Sequence, residues 1–236
     1  MKLLLGIGIA LVFGGCCSRF KRWPYETGMG ILGFIMLISE FWKQWTLTFL
    51  VNGGHYNVWY FPFQLCSLPM YLCPLLLIVP ACWKRRIQVF LMDFTLLGAL
   101  AVFLDTTGMQ YPLHVLTIHS YLWHFLLIVL GSWSGFDWIR TIDGRFRDTF
   151  RQFGESIFIW LPSLLIATVF NILLWRFGEI SMFYVSPFEP STQIIIHNIA
   201  VKYGIHVGNL VYLAVMLVGA VGIHVVWCFW GKIKKY

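Results

Sequence analysis

The chain has 236 residues, of which 59% are hydrophobic and only 11% charged, less than half the ~25% of a typical soluble domain. Aromatic residues make up 18% and the mean hydropathy is +0.75. These values exclude a soluble globular protein, a disordered chain and a fibrous repeat. The net charge of +7 reads as a topology signal rather than a nucleic-acid footprint, because a membrane chain gathers Lys and Arg in its cytoplasmic loops.

A helix of ~20 apolar residues crosses the ~30 Å hydrocarbon core of a bilayer. Seven such stretches occur in chain order, at 2–18, 27–50, 58–82, 87–104, 112–132, 155–176 and 206–230. The expected fold is all-α, a single domain of seven transmembrane helices over 1–236. A β-barrel would need short alternating segments, and 3–12 and 91–104 do not alternate.

The first stretch, with Gly14-Gly15-Cys16 at its end, also resembles a lipoprotein signal peptide; the basic flank at 18–23 favours a retained span. All Lys and Arg except Lys2, Lys43, Arg176 and Lys202 fall on one side of a seven-span layout. The N-terminus is therefore expected outside and the C-terminus in the cytoplasm.

The third stretch carries Pro62, Pro69, Pro74 and Pro80, each able to bend a helix and free a carbonyl. The loop 133–154 holds Asp137, Asp143 and Asp148 among arginines and reads as a solvated surface loop. The outer segment 177–205 contains the apolar patch 194–196 and reads as a lid or re-entrant piece. Gly204 with Gly208, and Gly219 with Gly222, read as close helix packing.

Six cysteines do not suggest a disulfide framework. Cys66 and Cys73 are ~10 Å apart along a helix, too far to bridge.

Polar groups inside a span are expensive and mark function by default. They are Glu40, Gln64, Cys66, Ser67, Asp93, His119, Ser120, His124, Asn171, Asn209 and His224. At 1.5 Å per residue, Cys66 lies ~12 Å and His124 ~18 Å from the outer ends of their stretches, so the two can meet near the membrane middle. His119 and His124 do not share a helix face, whereas Thr117, Ser120 and His124 do. A cysteine with a histidine is the arrangement for nucleophilic acyl transfer, the thiolate attacking and the imidazole moving protons. Neither a cofactor nor a metal is expected. There is no glycine-rich phosphate loop and no CxxC, and His114, His119 and His124 lie five apart, off one face.

The segment F-P-F-Q-L-C-S at 61–67 resembles the P-x-H-x-C-S signature of the YwaF-type integral membrane proteins of low-GC Gram-positive bacteria. The stretch 98–129 is similar to the family's following region, with His124 before an aliphatic run, and Asn171, Met182-Phe183 and Pro187 resemble a later Asn…Met-aromatic…Pro pattern. The family is similar to an animal membrane protein described as a cysteine-dependent lipid acyltransferase. The resemblance implies a bacterial plasma-membrane protein in which Cys66 accepts a fatty acyl chain and His124 is its base. Phospholipid and lysophospholipid would be substrates. His119, Ser120, Asn171, Gln64 and Glu40 are the candidates for orienting groups or an oxyanion contact. The chain departs from the pattern at Gln64, where the family has His, and at Ile180-Ser181, where it has Asn-Tyr.

A lipid hydrolase using the same pair, with water in place of the lysolipid, is a close relative of the acyltransferase, and two further readings compete with both. A transporter would use Glu40 and Asp93 as relay groups, although no internal repeat is visible. A non-catalytic receptor or assembly partner fits the span count alone.

Overall fold

The computed structural model describes residues 2–19, 24–141 and 146–233, without the side chains of 146–149 and 232–233. Asp143, Asp148, Arg145 and Arg147 therefore lie outside the described side chains. Among the described residues the chain is helical and contains no strand.

The helices are α1 (Lys2–Cys17), α2 (Tyr25–Thr46), α3 (Leu68–Leu75), α4 (Ala81–Phe90), α5 (Leu96–Ala101), α6 (His114–Thr141), α7 (Phe146–Leu174), α8 (Ile194–Tyr203) and α9 (Ile205–Ile233). A π-helical turn at Leu91–Thr95 joins α4 to α5, and a second at Leu47–Val51 extends α2. Among the described residues, four helical rods are long and apolar enough to cross a membrane: Ala81–Leu104, His114–Thr141, Phe150–Phe177 and Ile205–Gly231. The helix Lys2–Cys17 is apolar but shorter, and α2 carries Glu26, Glu40 and Lys43.

The third expected span is not one helix. A single 3-10 turn at Val58–Tyr60 is followed by irregular backbone and then the eight-residue α3. Proline explains the break: Pro69 is tolerated in the first turn of α3, Pro74 sits inside it, and Pro80 starts the next helix. The loop expected at 133–154 is mostly helix instead, because α6 runs on to Thr141 and α7 begins at Phe146. Asp137 there accepts from Gln88 Nε2 at 2.9 Å, which ties the end of α6 to α4.

Close contacts fix the relative directions. Gly6 faces Phe125 and Gly15 faces Phe136, so α1 runs parallel to α6. Gly30 faces Leu77 and Gly33 faces Pro74, so α2 runs antiparallel to the broken segment. Trp227 donates to Met92 O at 3.1 Å and Gly219 faces Leu97, so α9 opposes the α4–α5 rod. These directions gather Arg19, Arg86 and Arg140 at one end of the bundle, where Arg86 pairs with Glu155 at 2.7 Å.

The core is aromatic and lies towards that basic end. Phe90, Phe94, Phe153 and Trp160 form stacked pairs with centroids 5.5–6.1 Å apart, each pair contributing about 0.5–1.5 kcal/mol beyond its area. Within this core, His224 Nδ1 lies 2.8 Å from Asp93 Oδ2, both side chains fully buried.

The glycine expectation holds in part. Gly208 packs against Ala200 and Gly219 against Leu97, but nothing approaches Gly222. Gly204 instead takes φ +101, a left-handed value that suits glycine, and is the single residue between α8 and α9. The patch 194–196 is the start of α8, which folds back on α9 through the Ala200–Gly208 contact.

Candidate functional site

A cavity of about 350 Å³ lies at the bundle end away from the basic residues. It forms where the third segment is unwound. Irregular backbone at membrane depth is tolerated where protein buries it or where it lines a cavity. The carbonyls freed here are met by side chains: Trp123 Nε1 donates to Cys66 O at 3.1 Å, Gln44 Nε2 to Tyr60 O at 2.6 Å, and the Tyr71 hydroxyl to Pro62 O at 3.0 Å.

Cys66 and His124 both line this cavity, together with Glu40, Gln64, Ser67, His119 and Ser120. Cys66 is carried by the unwound stretch and His124 by α6, so the break and the polar stripe of α6 face each other. Thr117, Ser120 and His124 are all buried, as the stripe predicts. No hydrogen bond joins the Cys66 thiol to either imidazole in this structure.

The His124 ring is set by its own helix. Nδ1 lies 2.8 Å from Ser120 O, and a carbonyl can only accept, so Nδ1 carries the proton. In the neutral ring Nε2 is then the basic nitrogen. His119 is held differently, between Trp42 and Trp123 at 5.6 and 5.7 Å, and its buried Nδ1 has no partner among the described residues.

Glu40 Oε2 is paired with Lys43 at 2.8 Å, and its Oε1 accepts from Gln44 Nε2 at 2.6 Å. Lys43 also lines the cavity. Its i,i+3 spacing to Glu40 puts both charges on one helix face, a spacing visible in the sequence.

Gln64 and Asn171 bond to backbone. Asn171 is fully buried; its Nδ2 donates to Met182 O at 3.1 Å and its Oδ1 accepts from Met182 N at 2.6 Å. Gln64 Nε2 donates to Ser181 O at 2.9 Å and its Oε1 accepts from Phe183 N at 2.8 Å. The two amides thus grip one turn, Met182–Tyr184, from opposite elements. In that turn Phe183 and Tyr184 have φ of +57 and +55, and Tyr184 reaches the cavity. Two bulky residues in left-handed backbone have no sequence signature, so Tyr184 was not foreseen.

On the connection between α5 and α6, Asp105 Oδ1 accepts from Thr107 Oγ1 at 2.7 Å and Thr107 N at 3.0 Å. These bonds hold the Asp105 carboxyl below its usual range.

Asp93 and His224 pair with each other, apart from the cavity; Asn209 donates to Ser186 O at 2.9 Å. All six cysteines are free. Among the described residues no three His, Cys, Asp or Glu side chains converge as a metal-binding set. No family model matches the chain, and no curated protein or solved structure matches it either.

Proposed function

We propose that this is a multi-pass plasma-membrane acyltransferase of bacterial type, moving a fatty acyl chain between glycerophospholipids through a thioester on Cys66. The protein would cross the membrane seven times, counting α1, α2 and the broken 58–80 segment. Its N-terminus would lie outside and its basic end in the cytoplasm. The observation that carries the reading is that Cys66 and His124, 58 residues apart, line one cavity with Nε2 of His124 left as the basic nitrogen.

In the first half-reaction His124 Nε2 takes the thiol proton and the Cys66 thiolate attacks the ester carbonyl carbon. The C–O bond to glycerol breaks, and the imidazolium returns its proton to the departing oxygen. The products are a lysophospholipid and an acyl thioester. In the second half, a lysophospholipid hydroxyl gives its proton to His124 and attacks the thioester. The C–S bond breaks and Cys66 recovers its proton. Hydrogen bonds of this kind tighten when substrate fills the site.

The layer between the cavity and Asp93 contains buried Leu96, Ala99, Leu127 and Leu130. A transport pathway using Asp93 would have to pass these apolar side chains, which favours chemistry over flux.

The test is purified protein with a labelled phospholipid and an unlabelled lysophospholipid. Wild type should transfer label and show a Cys66 acyl adduct by mass spectrometry. Cys66→Ala should lower the rate by about 10³-fold or more. Equal transfer by Cys66→Ala rejects the mechanism.

A further inference from the structure

The turn at Met182–Tyr184 is built at a cost. Left-handed backbone strains any residue with a Cβ, and here it is taken twice in succession by aromatic residues. Such outliers persist only where the surroundings over-determine them, and they cluster at working sites. The surroundings here are the amides of Gln64 and Asn171, with three hydrogen bonds of 2.6–3.1 Å to the turn and a fourth, 2.9 Å, to Ser181 just before it. The conformation they impose delivers one side chain, Tyr184, to the cavity that holds Cys66 and His124.

We propose that Tyr184 is the hydrogen-bond donor to the ester carbonyl of a lipid bound in this cavity, and that Gln64 and Asn171 are positioning residues that hold it there. This rests on the reading of the cavity as an acyl-transfer site and adds the group that meets the carbonyl oxygen as negative charge develops. Burial pushes the Tyr184 phenol up to about 12, outweighing a side-chain hydrogen bond with Gln193 that lowers it; the phenol stays protonated at neutral pH, and a lipid carbonyl exchanges with Gln193, which lines the same cavity. The ring is braced against Tyr212 at 6.0 Å, edge on, which leaves the hydroxyl as the only part lost in Tyr184→Phe. Gln64 is two residues from Cys66, so one short stretch supplies both the nucleophile and half of the clamp.

The experiment measures binding apart from turnover. Full-length Cys66→Ala protein is titrated with a short-chain diacyl phosphatidylglycerol and with its dialkyl-ether counterpart, which lacks carbonyls. Tryptophan fluorescence reports the binding, since Trp59 and Trp123 line the cavity. The expected result is tighter binding of the diester by about tenfold, the value of one hydrogen bond. Adding Tyr184→Phe should remove that preference and leave ether binding unchanged. Gln64→Leu should remove it too, and in the double variant with Tyr184→Phe should have no further effect.

An unaltered ester preference in Tyr184→Phe overturns the proposal, as does equal binding of ester and ether by the starting protein. Additive losses from Gln64→Leu and Tyr184→Phe overturn the clamp. The transferase reading fails separately, if Cys66→Ala transfers acyl chains as well as wild type. In that event the ester-to-ether ratio still decides the role of Tyr184.

Discussion

Residue by residue, the polar groups in this bundle divide into two sets with different work. Those of the first set line the cavity, as Cys66 and His124 do. Asp93 and His224 instead turn to each other at 2.8 Å, fully buried and ringed by Trp138 and Phe153 at 5.4 Å. Removing Asp93 takes from His224 its buried carboxylate partner, at about 3–5 kcal/mol. Asp93→Ala should therefore lower the unfolding midpoint in detergent sharply. Asp93→Asn keeps a hydrogen-bonding side chain and should fall between that variant and wild type. A midpoint for Asp93→Ala equal to wild type would remove the pair from any structural role. The sequence made both residues conspicuous as charges in apolar stretches. Their pairing was not legible, because they are 131 residues apart and a helix pattern carries no information on which neighbour it meets.

Among the elements, the unwound segment between α2 and α4 decides where the site can be. Its four prolines were legible, and so was the shared stripe of Thr117, Ser120 and His124. Hydropathy nevertheless reads 58–82 as one span, because it averages composition and ignores hydrogen bonding. The break is packed against α2 through Gly33, where a Cβ would come to 2.8 Å from Cys73 Cβ. Overpacking of this kind costs about 1–3 kcal/mol. Gly33→Val should push α3 away, lower stability by that amount and loosen the cavity. Gly222→Val, at a glycine with nothing near it, should be neutral. Equal stability of the two variants would show that α3 is free to move aside.

For the molecule as a whole, charge asymmetry and the direction of the helices agree. Basic residues collect at one end, while the cavity, Glu40 and Lys43 lie towards the other. If the basic end faces the cytoplasm, His55→Cys, at an exposed position next to Gly54, should react with an impermeant maleimide on intact cells. In the same Cys66→Ala background, exposed Cys16 and Cys82 should react only after the membrane is opened. The reverse pattern would invert the orientation. The apolar helices and the basic flanks were readable because both are properties of composition along the chain. The cavity was not, because it depends on side chains supplied by distant segments.

That dependence bears on biosynthesis. The carbonyl of Cys66 is paired by Trp123, 57 residues later, and Gln64 finds its partners 117 and 119 residues later. When 58–80 leaves the ribosome, none of these groups has been made, and a bare carbonyl in lipid costs several kcal/mol. If the segment is a span, it must enter the bilayer as a helix, or stay sheltered by the insertion machinery, and unwind once α6 arrives. The grip on Met182–Tyr184 closes later still, so the site cannot be complete until most of the chain has been made.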